Sequence, residues 1–260
     1  YACEPWLVHQ WQTWLIRHKD YPEAACLEPQ DQERVIGQVN WIFSKAHELG
    51  LKNFMMNMCI VTTPAFAKAH GLDADMPVSE TVDWRHNYEH KIPGGESYDK
   101  MIHWGVRNGL TRDFTIAAIA ELFQTYPALD GMLSTMGEAL PGKRSSWFEE
   151  AIVPGLKRSG RNPIFIMFHW MMPLEDFLEG IAQKKLYDNL WLAIEHNGEI
   201  VSDVEPYPIS LRWVKQCGMP TIMQYVLHNI SYLPFNSPRW AHDMIREAHR
   251  YNNVVGFAYY

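Results

Sequence analysis

A regular alternation of predicted helices and strands, which runs from residue 111 to the end of the sequence, constrains the fold most strongly. The predicted helices, which carry apolar residues at helical spacing, are TRDFTIAAIAELFQTYP, SSWFEEAIVPGLKRSG, PLEDFLEGIAQKKL, ISLRWVKQCG and SPRWAHDMIREAHRY. The predicted strands, which are short apolar runs between turn signals, are DGMLSTMG, PIFIMFHW, NLWLAIEH, TIMQYVLHN and NVVGFAYY. Continuously apolar strands that alternate with helices indicate a parallel sheet with covered faces.

Local signals mark the ends of several helices. Residues 31–49 predict a helix that Asp31 caps and that Gly50 ends. Thr111 is the predicted cap of the first helix in the alternating region, and Pro154 predicts a kink in the next one.

The number of strands suggests the architecture. KNFMMNMCIV predicts one more buried strand, and a long loop insertion near residues 62–97 follows it. The six predicted strands lie near residues 53–61, 130–136, 163–169, 189–195, 220–227 and 254–259. A (β/α)8 barrel needs eight strands, so the first two would lie before residue 1 or within residues 1–30. We therefore expect an α/β fold, a complete or cropped (β/α)8 TIM barrel, that forms a single catalytic domain over residues 1–260.

An open doubly wound sheet is the alternative architecture. Such a sheet normally carries a Gly-rich phosphate loop after a strand when it binds a nucleotide. No such loop follows any of the predicted strands.

Composition excludes several classes of function. The formal charge of −7 argues against a nucleic-acid partner, which selects for clustered Lys and Arg. No apolar run approaches the roughly 20 residues needed to cross a bilayer, and no signal peptide is visible after Tyr1. The four Cys residues are far apart without CxxC spacing, so we expect free thiols rather than a zinc site or a disulfide framework.

Polar and aromatic residues gather where the predicted strands end. In (β/α)8 barrels the chemistry takes place at the carboxyl ends of the strands, so these residues are the candidates for a site. The candidates in or near the strand ends are Asn57, His103, Trp104, Glu138, His169, Trp170, Glu195, His196, Asn197, Asp203, Glu205, Gln224, His228 and Tyr259. The set holds no Lys, which disfavours a Schiff-base aldolase, and the sequence holds no G-x-S-x-G motif of serine hydrolases.

Paired carboxylates suit glycoside hydrolysis. One carboxylic acid must protonate the leaving oxygen, and an apolar setting must raise its pKa. Glu138 follows the largely apolar stretch GMLSTMG and is the candidate for this general acid. Glu195, Asp203 and Glu205 are the candidates for the second carboxylate, which either attacks the sugar or activates water.

A metal site is the competing interpretation of the same strand ends. His169, His196 and His228 follow three successive predicted strands, and Glu138 or Glu195 would join them as ligands. Barrel metallohydrolases commonly carry an H-x-H pair on an early strand, and the sequence has none. We therefore expect neither a metal ion nor another cofactor.

Four stretches resemble a known family of glycoside hydrolases. GLKNFMMNMCIVTTP, YPALDGMLSTMGEALPG, NLWLAIEHNGEIVSDVEPYP and MPTIMQYVLHN are similar, in order and spacing, to strands three, four, six and seven of the xylan α-glucuronidases. The resemblance covers roughly residues 50–260. It implies a (β/α)8 barrel that inverts configuration without a metal ion, and it places the general acid at Glu138.

The sequence also departs from that family. The Asp that helps to activate water is expected two places before Asp203, and the family's second carboxylate on strand seven is replaced by Gln224. The Arg that the family carries on strand five has no counterpart in PIFIMFHWMM, which offers His169 and Trp170.

These observations predict a glycoside hydrolase whose partner is a carbohydrate, with no nucleic acid and no membrane. Glu138 is the expected general acid, Asp203 the expected base and Glu195 the alternative base, and the other strand-end residues bind the sugar. A polysaccharide substrate favours a secreted or periplasmic location. Two alternatives stay open: a carbohydrate-binding barrel without activity, which Gln224 suggests, and a metal-dependent hydrolase that uses the strand-end histidines.

Overall fold

The computed structural model of the chain describes most of the predicted elements. The residues that it describes are 11–57, 61–72, 102–103, 108–135, 143–170, 172–196, 207–225 and 238–259. Statements about structure below refer to these residues.

The centre of the molecule is a six-stranded parallel sheet in which the strands follow one another in chain order. These strands are β1 (Phe54–Asn57), β4 (Gly131–Thr135), β5 (Ile164–Phe168), β6 (Leu190–Glu195), β7 (Thr221–Tyr225) and β8 (Val254–Tyr259). Each strand pairs in parallel with the next one of this series. The six strands predicted from the sequence are thus confirmed.

The two faces of the sheet are covered differently. Met55, Met132 and Leu192 belong to a large buried cluster that contains residues of the surrounding helices. The other face, called the inner face below, carries a small cluster of strand residues around Ile166 and Ala193, in which no helix takes part. A doubly wound sheet has helices on both faces and reverses its strand order. The sequential order and the helix-free inner face therefore define six consecutive strands of a (β/α)8 barrel.

The helices connect the strands and form the outer layer. They are α1 (Trp11–Trp14), α2 (Pro29–Glu48), α3 (Pro64–Ala69), α4 (Gly109–Thr125), α5 (Arg144–Trp147), α6 (Val153–Arg158), α7 (Leu174–Phe177), α8 (Pro208–Cys217) and α9 (Pro238–Ala248). None of them is long and apolar enough to cross a bilayer.

At two helices, the residue in the N-cap position differs from the predicted one. The helix α2 starts at Pro29 with Glu28 in the cap position, and Asp31 instead pairs with Arg34 within the first turns. Its predicted end is confirmed, because Gly50 adopts the left-handed conformation with φ of 76°.

The cap of α4 is Asn108 rather than Thr111. The Asn108 side chain accepts a hydrogen bond from the Thr111 amide at 2.9 Å, and the Thr111 hydroxyl accepts one from the Asn108 amide at 3.0 Å. This reciprocal capping box makes Thr111 the third helical residue, so the helix begins two residues earlier than predicted.

The helix that holds Pro154 contains a π-helical segment instead of a simple kink. The segment Phe148–Ile152 lies between α5 and α6 and ends directly before the turn that contains Pro154. Proline has no amide hydrogen to donate, and a wider turn before it accommodates the carbonyl that loses its partner.

Part of the predicted loop insertion near residues 62–97 is regular structure. The helix α3 begins after Thr63, whose side chain accepts a hydrogen bond from the Phe66 amide at 3.1 Å. The short strands β2 (Val61–Thr62) and β3 (Ile102–His103) pair antiparallel on either side of the insertion.

Candidate functional site

Strand periodicity decides which strand-end residues reach the inner face. Along β6, Trp191 and Ala193 belong to the inner cluster, whereas Leu192 and Ile194 pack against the helices. Glu195 lies on the same inner face as Trp191 and Ala193, because successive side chains of a strand alternate between the two faces. The last residue of β6 therefore presents a carboxylate to the inner face.

Glu195 lies in a buried and well-fixed position. It is only 6% exposed. The Ser210 hydroxyl of α8 donates a hydrogen bond to its carbonyl oxygen, and its own amide donates to Nδ1 of His169 at 3.4 Å. The helix behind the sheet and the neighbouring strand end thus fix the backbone that carries the carboxylate.

Gln224 is the neighbour of Glu195 on the next strand. The two residues are paired in register. Ile222 packs against the inner cluster, so Gln224, two residues further along β7, lies on the same face. Gln224 is 7% exposed, and its side-chain oxygen Oε1 has no hydrogen-bond partner among the residues that the structure describes. A buried amide oxygen without a partner costs about 1–3 kcal/mol, and such atoms are uncommon in folded proteins.

Trp170 contributes an aromatic surface at the same end of the sheet. Its indole packs against the inner cluster with Ile166 and Phe168 and remains partly exposed. A partly exposed indole offers an apolar face and a polar edge, which is the arrangement that carbohydrate ring faces contact.

His169 lies on the opposite side of the sheet from Trp170. Its ring contacts Trp213 of the helix layer edge-on at 5.6 Å and is 7% exposed. Burial lowers the pKa of His169 to about 4, although a hydrogen bond with the Ala193 carbonyl opposes the shift. A neutral imidazole with Nδ1 as acceptor therefore supports the backbone of Glu195 from behind.

Two other predicted site residues do not line the inner face as expected: Asn57 lies on the helix side, and His196 is fully buried. Asn57 shares its face with Met55, which packs on the helix side, and it pairs in register with Ser134. Its oxygen Oδ1 is buried and has no hydrogen-bond partner in the described part of the chain. His196 is fully buried, and its carbonyl accepts a hydrogen bond from the Tyr207 amide at 2.6 Å.

The structure brings together Trp170, Glu195 and Gln224 from the predicted set. His103 and Tyr259 are placed by their backbone alone, in β3 and β8. The predicted residues outside the described residues are Trp104, Glu138, Asn197, Asp203, Glu205 and His228.

Ser210 and Asp176 are supporting residues that the sequence analysis missed. Ser210 fixes the carbonyl of Glu195 as described above. The Asp176 carboxylate accepts hydrogen bonds from the amides of Arg144 and Ser145 at 3.0 and 3.2 Å, and from the Ser145 hydroxyl at 2.5 Å. Asp176 thus caps α5, which starts soon after Glu138. Its partners are 31 and 32 residues away, so no local signal reveals the contact.

Among the described residues, neither a metal-binding cluster nor a groove offers an alternative to the site beside Glu195. No three metal-ligating side chains come together among the residues that the structure describes. One open groove lies on α2 beside Trp41, and another lies beside Gly218 and Asn253, near the start of β7 and β8. Both grooves are remote from the carboxyl ends of the strands, where barrel sites lie.

The described residues thus form six consecutive strands of a (β/α)8 barrel, with a buried carboxylate at the end of one of them. No protein-family model matches the sequence, and no curated protein matches it. The similarity to xylan α-glucuronidases therefore stays a prediction from short motifs.

Two solved structures are similar in fold. A GH138 enzyme targeting pectin rhamnogalacturonan II superposes with a TM-score of 0.73 at 19% identity, over 96% of this chain and 27% of that chain. The α-amylase from Geobacillus thermoleovorans, complexed with acarbose, superposes with a TM-score of 0.50 at 13% identity, over 86% of this chain and 52% of that chain. This chain thus spans about a quarter and about half of the two proteins, and at these identities the similarity establishes the fold.

Proposed function

We propose that this chain is the barrel of a glycoside hydrolase, which cleaves a glycosidic bond by acid–base catalysis with paired carboxylates. The observation that carries the proposal is Glu195, a buried carboxylate on the inner face at the carboxyl end of β6. The similarity in fold to a GH138 enzyme and an α-amylase supports the same class.

Glu138 is the general acid in this proposal. The strand β4 ends at Thr135, three residues before Glu138 in the sequence. Only β5 separates β4 from β6, so the two strands lie about 10 Å apart at a spacing of about 4.8 Å per strand. Carboxyl groups on side chains from two such strand ends are able to approach the roughly 5–9.5 Å that glycosidases use.

Glu195 supplies the second carboxylate, and Asp203 is the alternative that the family resemblance suggests. The inner-face position of Glu195 beside Trp170 and Gln224 favours Glu195. A separation of about 5–5.5 Å between the two carboxyl groups corresponds to retention, and about 6.5–9.5 Å corresponds to inversion. The anomeric configuration of the first product, followed by NMR, will therefore report the distance between them.

The test is turnover of single-residue variants on plant polysaccharides, including the pectin rhamnogalacturonan II that the GH138 enzyme targets. We expect Glu138→Gln and Glu195→Gln each to lower kcat about 10³-fold, because each removes a proton-transferring or nucleophilic group. If Glu195 is the second catalytic carboxylate, Asp203→Asn should lower kcat much less than either of these substitutions.

The matched control is Glu175→Gln, because Glu175 is an exposed carboxylate on α7 that pairs with Arg212 at 3.0 Å. Its kcat should equal that of the unchanged protein. Full turnover by Glu138→Gln or by Glu195→Gln would show that the substituted residue is not required for catalysis.

A carbohydrate-binding barrel without activity is the second candidate. Gln224 favours it, because an amide beside Glu195 cannot accept the proton that a second carboxylate there would take. Sugar binding by the unchanged protein, together with no hydrolysis across the polysaccharide panel, would favour this candidate over the hydrolase.

A further inference from the structure

We propose that Gln224 determines specificity by accepting a hydrogen bond from the 2-hydroxyl group of the sugar whose glycosidic bond is cleaved. This inference rests on the proposed function, in which the Glu195 carboxylate faces the anomeric carbon of that sugar. It restricts the substrate class to sugars that carry a 2-hydroxyl group, whether the ring is charged or neutral.

The side-chain oxygen of Gln224 is a buried acceptor. Gln224 is 7% exposed, and none of the described residues donates a hydrogen bond to its Oε1. Its register neighbours are Glu195 of β6 and Ala258 of β8. Neither an ionised carboxylate nor a methyl group has a hydrogen to donate to an amide oxygen. The oxygen is therefore able to pair with a ligand that brings a donor to this end of the sheet.

The position of Gln224 relative to Glu195 selects the ligand group that meets it. The two side chains have the same length and start from register-paired positions on the inner face. Their ends therefore lie about one strand spacing apart, which is about 4.8 Å. When the carboxylate faces the anomeric carbon, an acceptor beside it lies next to one of the two ring neighbours of that carbon. These neighbours are the ring oxygen, which carries no hydrogen, and carbon 2, whose hydroxyl group is able to donate to Oε1.

The opposite side of Glu195 offers a different kind of contact. Trp170 follows β5, which is the neighbour of β6 on the side away from β7. Its indole packs against the inner cluster and is partly exposed, and an indole nitrogen donates hydrogen bonds but accepts none. A sugar ring thus meets an apolar surface on the β5 side of the carboxylate and an acceptor on the β7 side. This difference orients the 2-hydroxyl towards Gln224.

The contact should contribute more to catalysis than to binding. Hydrogen bonds to the 2-hydroxyl of a substrate strengthen in the oxocarbenium-like transition state of glycoside hydrolysis. A site that pairs with a substrate hydroxyl also rejects the analogue that lacks it, because the buried acceptor then stays unpaired. We therefore expect 2-deoxy sugars to be poor substrates of this chain.

The test is a double-mutant cycle between Gln224 and the 2-hydroxyl group. The protein variant is Gln224→Met, which keeps the length of the side chain and removes its hydrogen-bonding groups. The substrates are 4-nitrophenyl glycosides of glucose, galactose and their uronic acids, in both anomeric forms, each with its 2-deoxy counterpart. We expect the ratio of kcat/KM between the 2-hydroxy and 2-deoxy substrates to be at least about ten-fold larger for the unchanged protein than for Gln224→Met. Intrinsic reactivity cancels in this comparison, because both proteins act on the same substrates.

Matched controls accompany the cycle. Gln38→Met changes an exposed residue of α2 and should keep the ratio of the unchanged protein. Glucosides and galactosides without the 6-hydroxyl test a second donor of the ring, and Gln224→Met should leave their ratio unaltered. The urea midpoint of Gln224→Met should not fall, because no described residue donates to the oxygen that it removes. A 2-deoxy ratio that is the same for folded Gln224→Met and the unchanged protein, or a change confined to the 6-deoxy ratio, would overturn the inference.

Binding separates this inference from the proposed function. Ligand-observed NMR compares methyl glycosides of the same sugars with their 2-deoxy counterparts, and the 2-deoxy forms should bind to the unchanged protein at least about three-fold more weakly. Discrimination that depends on Gln224, without hydrolysis of any substrate, would refute the hydrolase and support the contact. Hydrolysis by the unchanged protein that treats 2-hydroxy and 2-deoxy substrates equally would refute the contact and support the hydrolase. The absence of both binding and hydrolysis across the panel would refute both.

Discussion

At the scale of single residues, the position of a side chain on one face of a strand decides its role. Trp170 and His169 are adjacent in the sequence, yet Trp170 packs on the inner face and His169 packs on Trp213 behind the sheet. The stretch PIFIMFHW is apolar at nearly every position, because both faces of its strand are covered. The sequence therefore does not reveal which of the two residues faces the site.

Gly131, at the start of β4, is a residue where one added methyl group should lower the stability of the fold. A Cβ atom there would lie 2.1 Å from the Ile164 carbonyl oxygen and 2.9 Å from Cε1 of Phe54. We expect Gly131→Ala to lower the free energy of unfolding by about 3 kcal/mol or more, because both neighbouring strands would have to move. Urea denaturation measures the change.

Gly37 is the matched control for that substitution. It lies within α2, and a Cβ atom there would meet nothing within 4 Å. Gly37→Ala should raise the free energy of unfolding by about 0.5–1 kcal/mol, because Ala has the higher helix propensity. Equal effects of the two substitutions would contradict the close approach at Gly131.

At the scale of elements, one contact joins the β4 unit to the β5 unit close to the proposed acid. Ser145 of α5 lies against Gly180, where a Cβ atom would be 2.3 Å from the Cβ of Ser145. Asp176, four residues before Gly180, caps α5 through the Ser145 amide and hydroxyl. The two contacts fix the start of α5, which follows Glu138 by six residues in the sequence.

Removal of this cap should lower both stability and turnover. We expect Asp176→Ala to cost about 1–2 kcal/mol of unfolding free energy, because two backbone amides and a hydroxyl lose their acceptor. It should also lower kcat, because the segment before α5 is less well positioned. The matched control, Glu179→Ala, changes an exposed carboxylate nearby and should alter neither quantity. An Asp176→Ala protein as stable as the unchanged one would refute the capping role.

At the scale of the whole molecule, the sequence predicted the fold better than the site. The six strands could be predicted because each is an apolar run between turn signals, and their sequential order follows from the helix between each pair. The contacts of Asp176 and Ser210 could not be predicted, because they join residues that only the closed packing of successive units brings together. The same packing places Glu195 and Gln224 side by side at the ends of adjoining strands.

Two buried histidines should make the whole chain sensitive to acid. Burial lowers the pKa of His18, and likewise that of His169, from 6.5 to about 4. The unfolded chain therefore takes up protons below pH 6.5 that the folded chain does not bind. The free energy of unfolding is fully retained above pH 6.5 and falls as the pH decreases towards 4, by up to about 3 kcal/mol for each histidine.

The measurement is the urea midpoint at several pH values between 7.5 and 4.5. His169→Asn retains an oxygen that can accept the Glu195 amide hydrogen but does not titrate, so its midpoint should fall less steeply with decreasing pH. Identical slopes for His169→Asn and the unchanged protein would show that the pKa of His169 is the same in the folded and the unfolded chain, and would contradict the lowered value.

The alternation of faces along β6 also limits how this chain can vary. Deletion of one residue between Leu190 and Glu195 would carry the carboxylate to the helix layer and turn His196 towards the inner face, without any substitution at the strand end itself. Changes of length therefore keep Glu195 on the inner face only in the connecting segments, or in steps of two within a strand. Differences among chains of this fold should accordingly lie in loops of different length above strands of constant length.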